Sequence, residues 1–124
     1  MNRVLIVDDE DALLEMIANI VDDLGYTCLV ATNGHEALDL LQEETEPPAL
    51  IISDIMMPKM NGLELLHKLR ADIRLRGIPV ILMSAAGLPE DGTVQHFLHK
   101  PFNIDTLVDL INDLVTGQAS KTAP

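Results

Sequence analysis

The chain has 124 residues, enough for one domain with a real core and too short for two. Nearly half of it is apolar, which argues against disorder, and a net charge of −12 argues against a sequence-independent grip on nucleic acid or anionic lipid. With no Trp and few aromatics, the core must be built from Leu, Ile, Val, Met and Ala. Five short apolar segments then alternate with longer amphipathic ones, the pattern of a doubly wound α/β domain. The first strand is about Arg3–Val7. A helix follows over Asp11–Leu24, with Leu14, Ile17, Val21 and Leu24 on one stripe and Gly25 as its stop. Thr27–Ala31 is a weaker strand that suits a sheet edge, and its single Cys28 reads as an inert buried thiol. The second helix spans Asn33–Glu43, and Asn33 with Glu36 resembles a capping box.

Pro47 and Pro48 interrupt the chain before the strongly apolar third strand, Ala49–Ser53. Residues 54–62 form a loop, with Pro58 and Asn61-Gly62 as turn signals, and Leu63–Ala71 is the third helix, with Leu63, Leu66 and Leu69 at helical spacing. Pro79–Met83 is the fourth strand and His96–His99 a short fifth that suits an edge. The last helix is about Ile104–Val115 and stops at Gly117; 118–124 read as a disordered tail after a single domain over 1–117. The interval between Ser84 and Phe97 is short and holds Gly87, Pro89 and Gly92. A parallel crossover usually carries a helix. Here an irregular loop is expected instead.

Chemistry concentrates where the apolar runs end. Asp8 and Asp9 close the first strand, Asp54 the third, Ser84 the fourth and Lys100 the fifth. Carboxylates are costly in a low-dielectric core, so strands ending in acids deliver charge to a solvent-facing rim. If the strands are parallel and adjacent, these five residues gather on the sheet edge where open α/β sheets bind ligands. Neighbouring strands lie roughly 4.8 Å apart. In the strand order implied by the family resemblance given below, strands one and three are such neighbours, and Asp8, Asp9 and Asp54 would then repel one another unless a cation joins them. A hard divalent ion with oxygen ligands answers this, and Mg²⁺ suits one or two carboxylates plus a phosphate.

Val7-Asp8-Asp9-Glu10, Ser53-Asp54-Ile55-Met56-Met57-Pro58 with Asn61-Gly62, Ser84-Ala85 and Lys100-Pro101-Phe102 occur in this order at the ends of predicted strands. Together they resemble the receiver domains of bacterial response regulators in two-component signalling, over about Val4 to Val115. The resemblance implies a flavodoxin-like fold with strand order 2-1-3-4-5 and phosphorylation of Asp54 by a histidine kinase or phosphotransfer protein. It further implies that Asp9, Asp54 and the Met56 backbone carbonyl bind Mg²⁺, with Asp8 acting through water. Lys100 and the Ser84 hydroxyl would neutralise and hydrogen-bond the phosphoryl group, and Ser84 with Phe97 would form the switch. In the family the bond corresponding to Lys100–Pro101 is cis, although the sequence itself favours trans.

Two departures from the family stand out. Most receivers carry a full fourth helix where this chain has its short crossover, so a shortened or absent fourth helix and a changed output surface are expected. Met56 and Ala86 occupy positions that influence hydrolysis of the phosphoryl group in the family, and neither side chain orients a water, so slow self-dephosphorylation is expected. Beyond taking up and losing its own phosphoryl group, no enzyme activity is expected.

Other classes fit less well. A haloacid-dehalogenase-type phosphatase needs a second acid two residues after its nucleophile, where this chain has Met56. A flavodoxin-like FMN binder needs a hydroxyl- and Gly-rich phosphate loop where this chain places acids. A degenerate receiver that docks without being phosphorylated is the alternative. With no effector domain, output would pass by contact with another protein. The N-terminus does not resemble a signal peptide and no apolar stretch spans a bilayer, so a cytoplasmic location is expected.

Overall fold

The computed structural model of the protein describes residues 2–116, so the expected stop at Gly117 and the tail over 118–124 lie outside it. Its elements run β1 (Arg3–Val7), α1 (Asp11–Asp23), β2 (Thr27–Ala31), α2 (Gly34–Glu43), β3 (Leu50–Asp54), α3 (Gly62–Ala71), β4 (Val80–Ser84), β5 (His96–His99) and α4 (Ile104–Val115). All strand pairs are parallel, in the order β2-β1-β3-β4-β5, as expected.

Side chains on a strand alternate between faces, and that alternation builds two cores. Leu5, Val7, Ile51, Val80 and Leu82 pack against Ala37 and Leu41 of α2 and Leu65, Leu66 and Leu69 of α3. Val4, Ile6, Leu50, Ile52, Ile81 and Met83 pack against Leu14, Ile17 and Val21 of α1 and Leu107, Ile111 and Leu114 of α4. The central strands β1, β3 and β4 are buried on both faces, which is why they read as unbroken apolar runs. The half-exposed β2 and β5 are the edges.

Local expectations need several corrections. β3 and β4 each end one residue later than expected, so Asp54 and Ser84 are the last residues of their strands rather than the first of the following loops. The anticipated capping box at α2 is only half formed. Asn33 accepts from the Glu36 N–H at 2.9 Å, but Glu36 turns to the Thr32 N–H at 2.6 Å. The reciprocal box forms at α3 instead, where Asn61 accepts from Glu64 N–H at 2.8 Å and Glu64 accepts from Asn61 N–H at 2.9 Å. That helix begins one residue earlier than expected, at Gly62, and buries Leu65, Leu66 and Leu69, leaving Leu63 half-buried.

The crossover from β4 to β5 contains no helix. Residues 85–95 run as bends and turns, as the glycines and Pro89 led us to expect. The segment is fastened to α3 by His67 Nε2, 2.8 Å from Asp91 Oδ2. Asp91 Oδ1 in turn accepts from the Thr93 N–H at 2.9 Å. Val94 and Phe97 pack onto the core shared with α2 and α3. Val94 is thus the apolar anchor of the loop on that core.

Candidate functional site

The register of the central strands assembles the site. Val7 pairs with Ser53, so the next residues, Asp8 and Asp54, stand level at the C-terminal rim. Oxygen atoms of Asp8, Asp9 and Asp54 all lie within 4.8 Å of one another. Asp8 and Asp54 are buried and Asp9 is exposed, so the group opens to solvent on one side. Lys100 reaches across from the end of β5, with Nζ 3.3 Å from Asp54 Oδ2 and 3.7 Å from Asp8 Oδ2. The Lys100–Pro101 bond is cis, and the Lys100 N–H donates to the Ser84 carbonyl at 3.0 Å.

Asp8 is the most constrained of the acids. Burial pushes its carboxyl above the usual carboxylate range. The Glu10 N–H, donating to Oδ1 at 2.8 Å, and the Lys100 cation pull it back, while Asp54 and Asp9 push it further up. Oδ2 has no hydrogen-bond partner, because the 3.7 Å contact to Lys100 is an ion pair too long to be a hydrogen bond. A buried carboxylate oxygen left unsatisfied amid two more acids fits a cation-binding donor set.

The loop after β3 is fixed by close backbone approach. Ile55 N–H donates to the Met83 carbonyl and Gly62 N–H to the Ile55 carbonyl, both at 2.9 Å. A Cβ on Gly62 would come within 2.4 Å of the Asp54 carbonyl oxygen, so only glycine fits there. Lys59 takes a left-handed conformation, with φ of 68°. Met56 is 67% exposed, with its side chain turned to solvent beside Asp54. Ser84 is buried, and its Oγ accepts from the Ala86 N–H at 3.0 Å. Phe97 is half-buried and level with Leu82 across the β4–β5 pair. An apolar cavity of about 320 Å³, walled by Leu13, Met16, Ala85, Pro101 and Phe102, opens beside Lys100.

Asp8, Asp9, Asp54 and Lys100 therefore meet, as the strand ends suggested, and Ser84 stands on the neighbouring strand tip. Sequence reasoning missed the closeness of Gly62 to Asp54, the Glu10 N–H on Asp8 and the left-handed Lys59. The pair Asn61-Gly62 stands out in the sequence as a turn and as part of the receiver motif, but neither pattern says that Gly62 lies against the Asp54 main chain.

A five-stranded parallel sheet in this order, with an acid cluster and a lysine on its C-terminal rim, defines a receiver-type α/β domain. Residues 4–112 match the family model of the response regulator receiver domain. A response regulator of Synechocystis sp. is 37% identical over 125 residues, covering 95% of this chain and 53% of that protein. The transcriptional regulatory protein CpxR of Escherichia coli is 34% identical over 121 residues, covering 93% of this chain and 50% of that protein. Among solved structures, the signal receiver domain of a signal transduction histidine kinase from Syntrophus aciditrophicus superimposes with a TM-score of 0.86 at 31% identity, covering 100% of this chain and 97% of that one. The chain belongs to the response regulator receiver domain family of two-component systems. It spans about half the length of the curated relatives it matches. No helix among the described residues is long and apolar enough to cross a membrane.

Proposed function

We propose that this receiver takes a phosphoryl group on Asp54 from a phosphohistidine of a histidine kinase or phosphotransfer protein, and signals through protein contact. The observation that carries the reading is the meeting of Asp8, Asp9 and Asp54 within 4.8 Å, with Lys100 3.3 Å from Asp54. A carboxylate oxygen of Asp54 attacks phosphorus, the bond to the donor imidazole breaks, and an acyl phosphate remains on Asp54. The leaving imidazole keeps the electron pair of the broken bond and takes up a proton.

Such a transfer spreads charge over three oxygens, so the site's work is positioning and neutralisation. Mg²⁺, held by Asp9, Asp54 and the Met56 backbone carbonyl with Asp8 behind them, would supply positive charge at the transferred group. Lys100, 3.3 Å from Asp54 at the end of β5, would supply the second positive charge. Ser84 Oγ, now bonded to Ala86 N–H, would turn to donate to the phosphoryl oxygens. Phe97 would then move into the core space beside Leu82, carrying the change to the β4–β5 face. The apolar cavity beside Lys100 gives a donor protein a foothold next to Asp54. Met56 and Ala86 offer no group to orient a hydrolytic water, so the phosphoryl group would persist.

Incubation with Mg²⁺ and acetyl phosphate, followed by intact-mass measurement, tests the reading. A mass gain of one phosphoryl group, lost in Asp54→Asn and without Mg²⁺, is expected. No gain under these conditions would leave a docking module that acts unphosphorylated. A phosphoryl lifetime of only seconds would overturn the slow-hydrolysis part alone.

A further inference from the structure

We infer that a second ligand site, for a small organic anion, lies at the end of the sheet opposite the acid cluster. A pocket of about 510 Å³ opens there, beneath the segments that lead into β3, β4 and β5. Its polar lining is Arg70, Arg76, Gln95 and His96. None of the described residues lining it is acidic, in a chain with 20 acids against 8 Lys and Arg. Such a lining is the reverse of what the overall charge would scatter onto a solvated surface.

The two arginines are unequal. Arg70 is fixed, because its Nη1 donates to the carbonyls of Arg76 at 2.9 Å and Ile78 at 3.0 Å. Burial lowers the pKa of its guanidinium, and among the described residues it has no carboxylate partner. Arg76 is exposed at the mouth and likewise has no carboxylate partner among them. A guanidinium presents a planar fork that matches two oxygens of a carboxylate or phosphate. One fork held in place and one free to close suits an oxyanion. Pro79, Leu114 and Val115 add an apolar wall, and the volume lies within the range of small-molecule sites. The ligand class is therefore an oxyanion head on a compact apolar body. Bound there, it would join the turn before β4, the start of β5 and the end of α4.

The test follows backbone amide shifts of the labelled chain in Mg²⁺-free buffer, with phenyl phosphate, benzoate and phenol as probes. Saturable shifts at Gly77, Ile78, Gln95 and His96 are expected with the two anions and not with phenol. Arg76→Ala should weaken them at least about tenfold, the worth of one charge-assisted contact, while phosphorylation of Asp54 from acetyl phosphate is unchanged. Tighter binding of phenyl phosphate would identify a phosphate-headed ligand, and tighter binding of benzoate a carboxylate. Equal shifts with phenol, shifts that rise without saturating, shifts only around Lys100, or no effect of Arg76→Ala would each overturn the site. Because Arg76 is exposed and its side chain makes no hydrogen bond or ion pair among the described residues, the variant should fold, and an unchanged melting temperature verifies that.

Discussion

Gly62 lies directly against the main chain of Asp54, and a methyl group there would come within 2.4 Å of the Asp54 carbonyl oxygen. The neighbouring atoms are backbone, which cannot swing aside as a flexible side chain would. Gly62→Ala should therefore cost about 1–3 kcal/mol of stability in urea unfolding. It should also slow phosphoryl uptake from acetyl phosphate, because the loop that shifts carries Ile55 and Met56 beside the acceptor. Wild-type stability in this variant would show that the close approach relaxes freely.

Lys100 is the only described cation within 4 Å of Asp8 or Asp54. Lys100→Met should bring two opposite effects. Without metal the acids lose their counter-charge, and the variant should melt at a lower temperature than the wild type. Mg²⁺ should bind about tenfold more tightly by calorimetry, since a neighbouring positive charge no longer competes with it. Phosphoryl uptake should fall despite the tighter metal. Unchanged Mg²⁺ affinity would mean that the lysine does not share the field of the acids.

Asp8 is a buried acid whose Oδ2 has no hydrogen bond and whose carboxyl is pushed up by burial. Replacing such a group with a neutral one of similar shape relieves a desolvation cost. Asp8→Asn should raise Mg²⁺-free stability by about 1 kcal/mol near neutral pH, while reducing the extra stability gained on adding Mg²⁺. Denaturant titrations with and without the ion measure both. A variant less stable than wild type in metal-free buffer would contradict the assignment of Asp8 as a strained acid kept for a cation.

Asp91, held by Thr93 and His67, should make the crossover sensitive to acid. Hydrogen bonds from the Thr93 hydroxyl and N–H, with the His67 contact, hold the Asp91 carboxyl below its ordinary value. A carboxylate whose pKa is depressed on folding contributes stability that is complete above the unfolded value and lost as pH falls through the folded one. Opening of residues 85–95 should therefore increase below about pH 4, the ordinary range of a carboxylate. Hydrogen exchange at Thr93 and Val94 would follow it, and Asp91→Ala should show the faster exchange already at neutral pH. Equal protection in the two proteins would show that Val94 and Phe97 hold the loop by packing alone.

Much of this was legible in the sequence because the central strands are buried on both faces. Such strands are apolar up to their last residues, so the positions where Asp8, Ser53-Asp54 and Ser84 end the runs mark the rim. The missing helix was legible too, from Gly87, Pro89 and Gly92 in a short interval. Contacts between elements distant in sequence were less visible. No spacing rule predicts that Gly62 meets Asp54, that His67 reaches Asp91, or that Arg70 and Arg76 share a pocket with His96. The capping box at Asn33 stays half formed for a local reason, since the Glu36 carboxylate accepts from the Thr32 N–H instead.

The helix-free crossover also sets how a signal could leave the rim. Residues 85–95 form a tether of turns, pinned midway at Asp91 and again where Val94 meets the core. If Ser84 shifts on phosphorylation as proposed, a rigid rod would pass the displacement along its whole length, whereas this tether would hand it on only as far as its pins allow. Cutting a pin would then silence the message while leaving its writing intact, so that chemistry and readout come apart at different residues of one short ribbon.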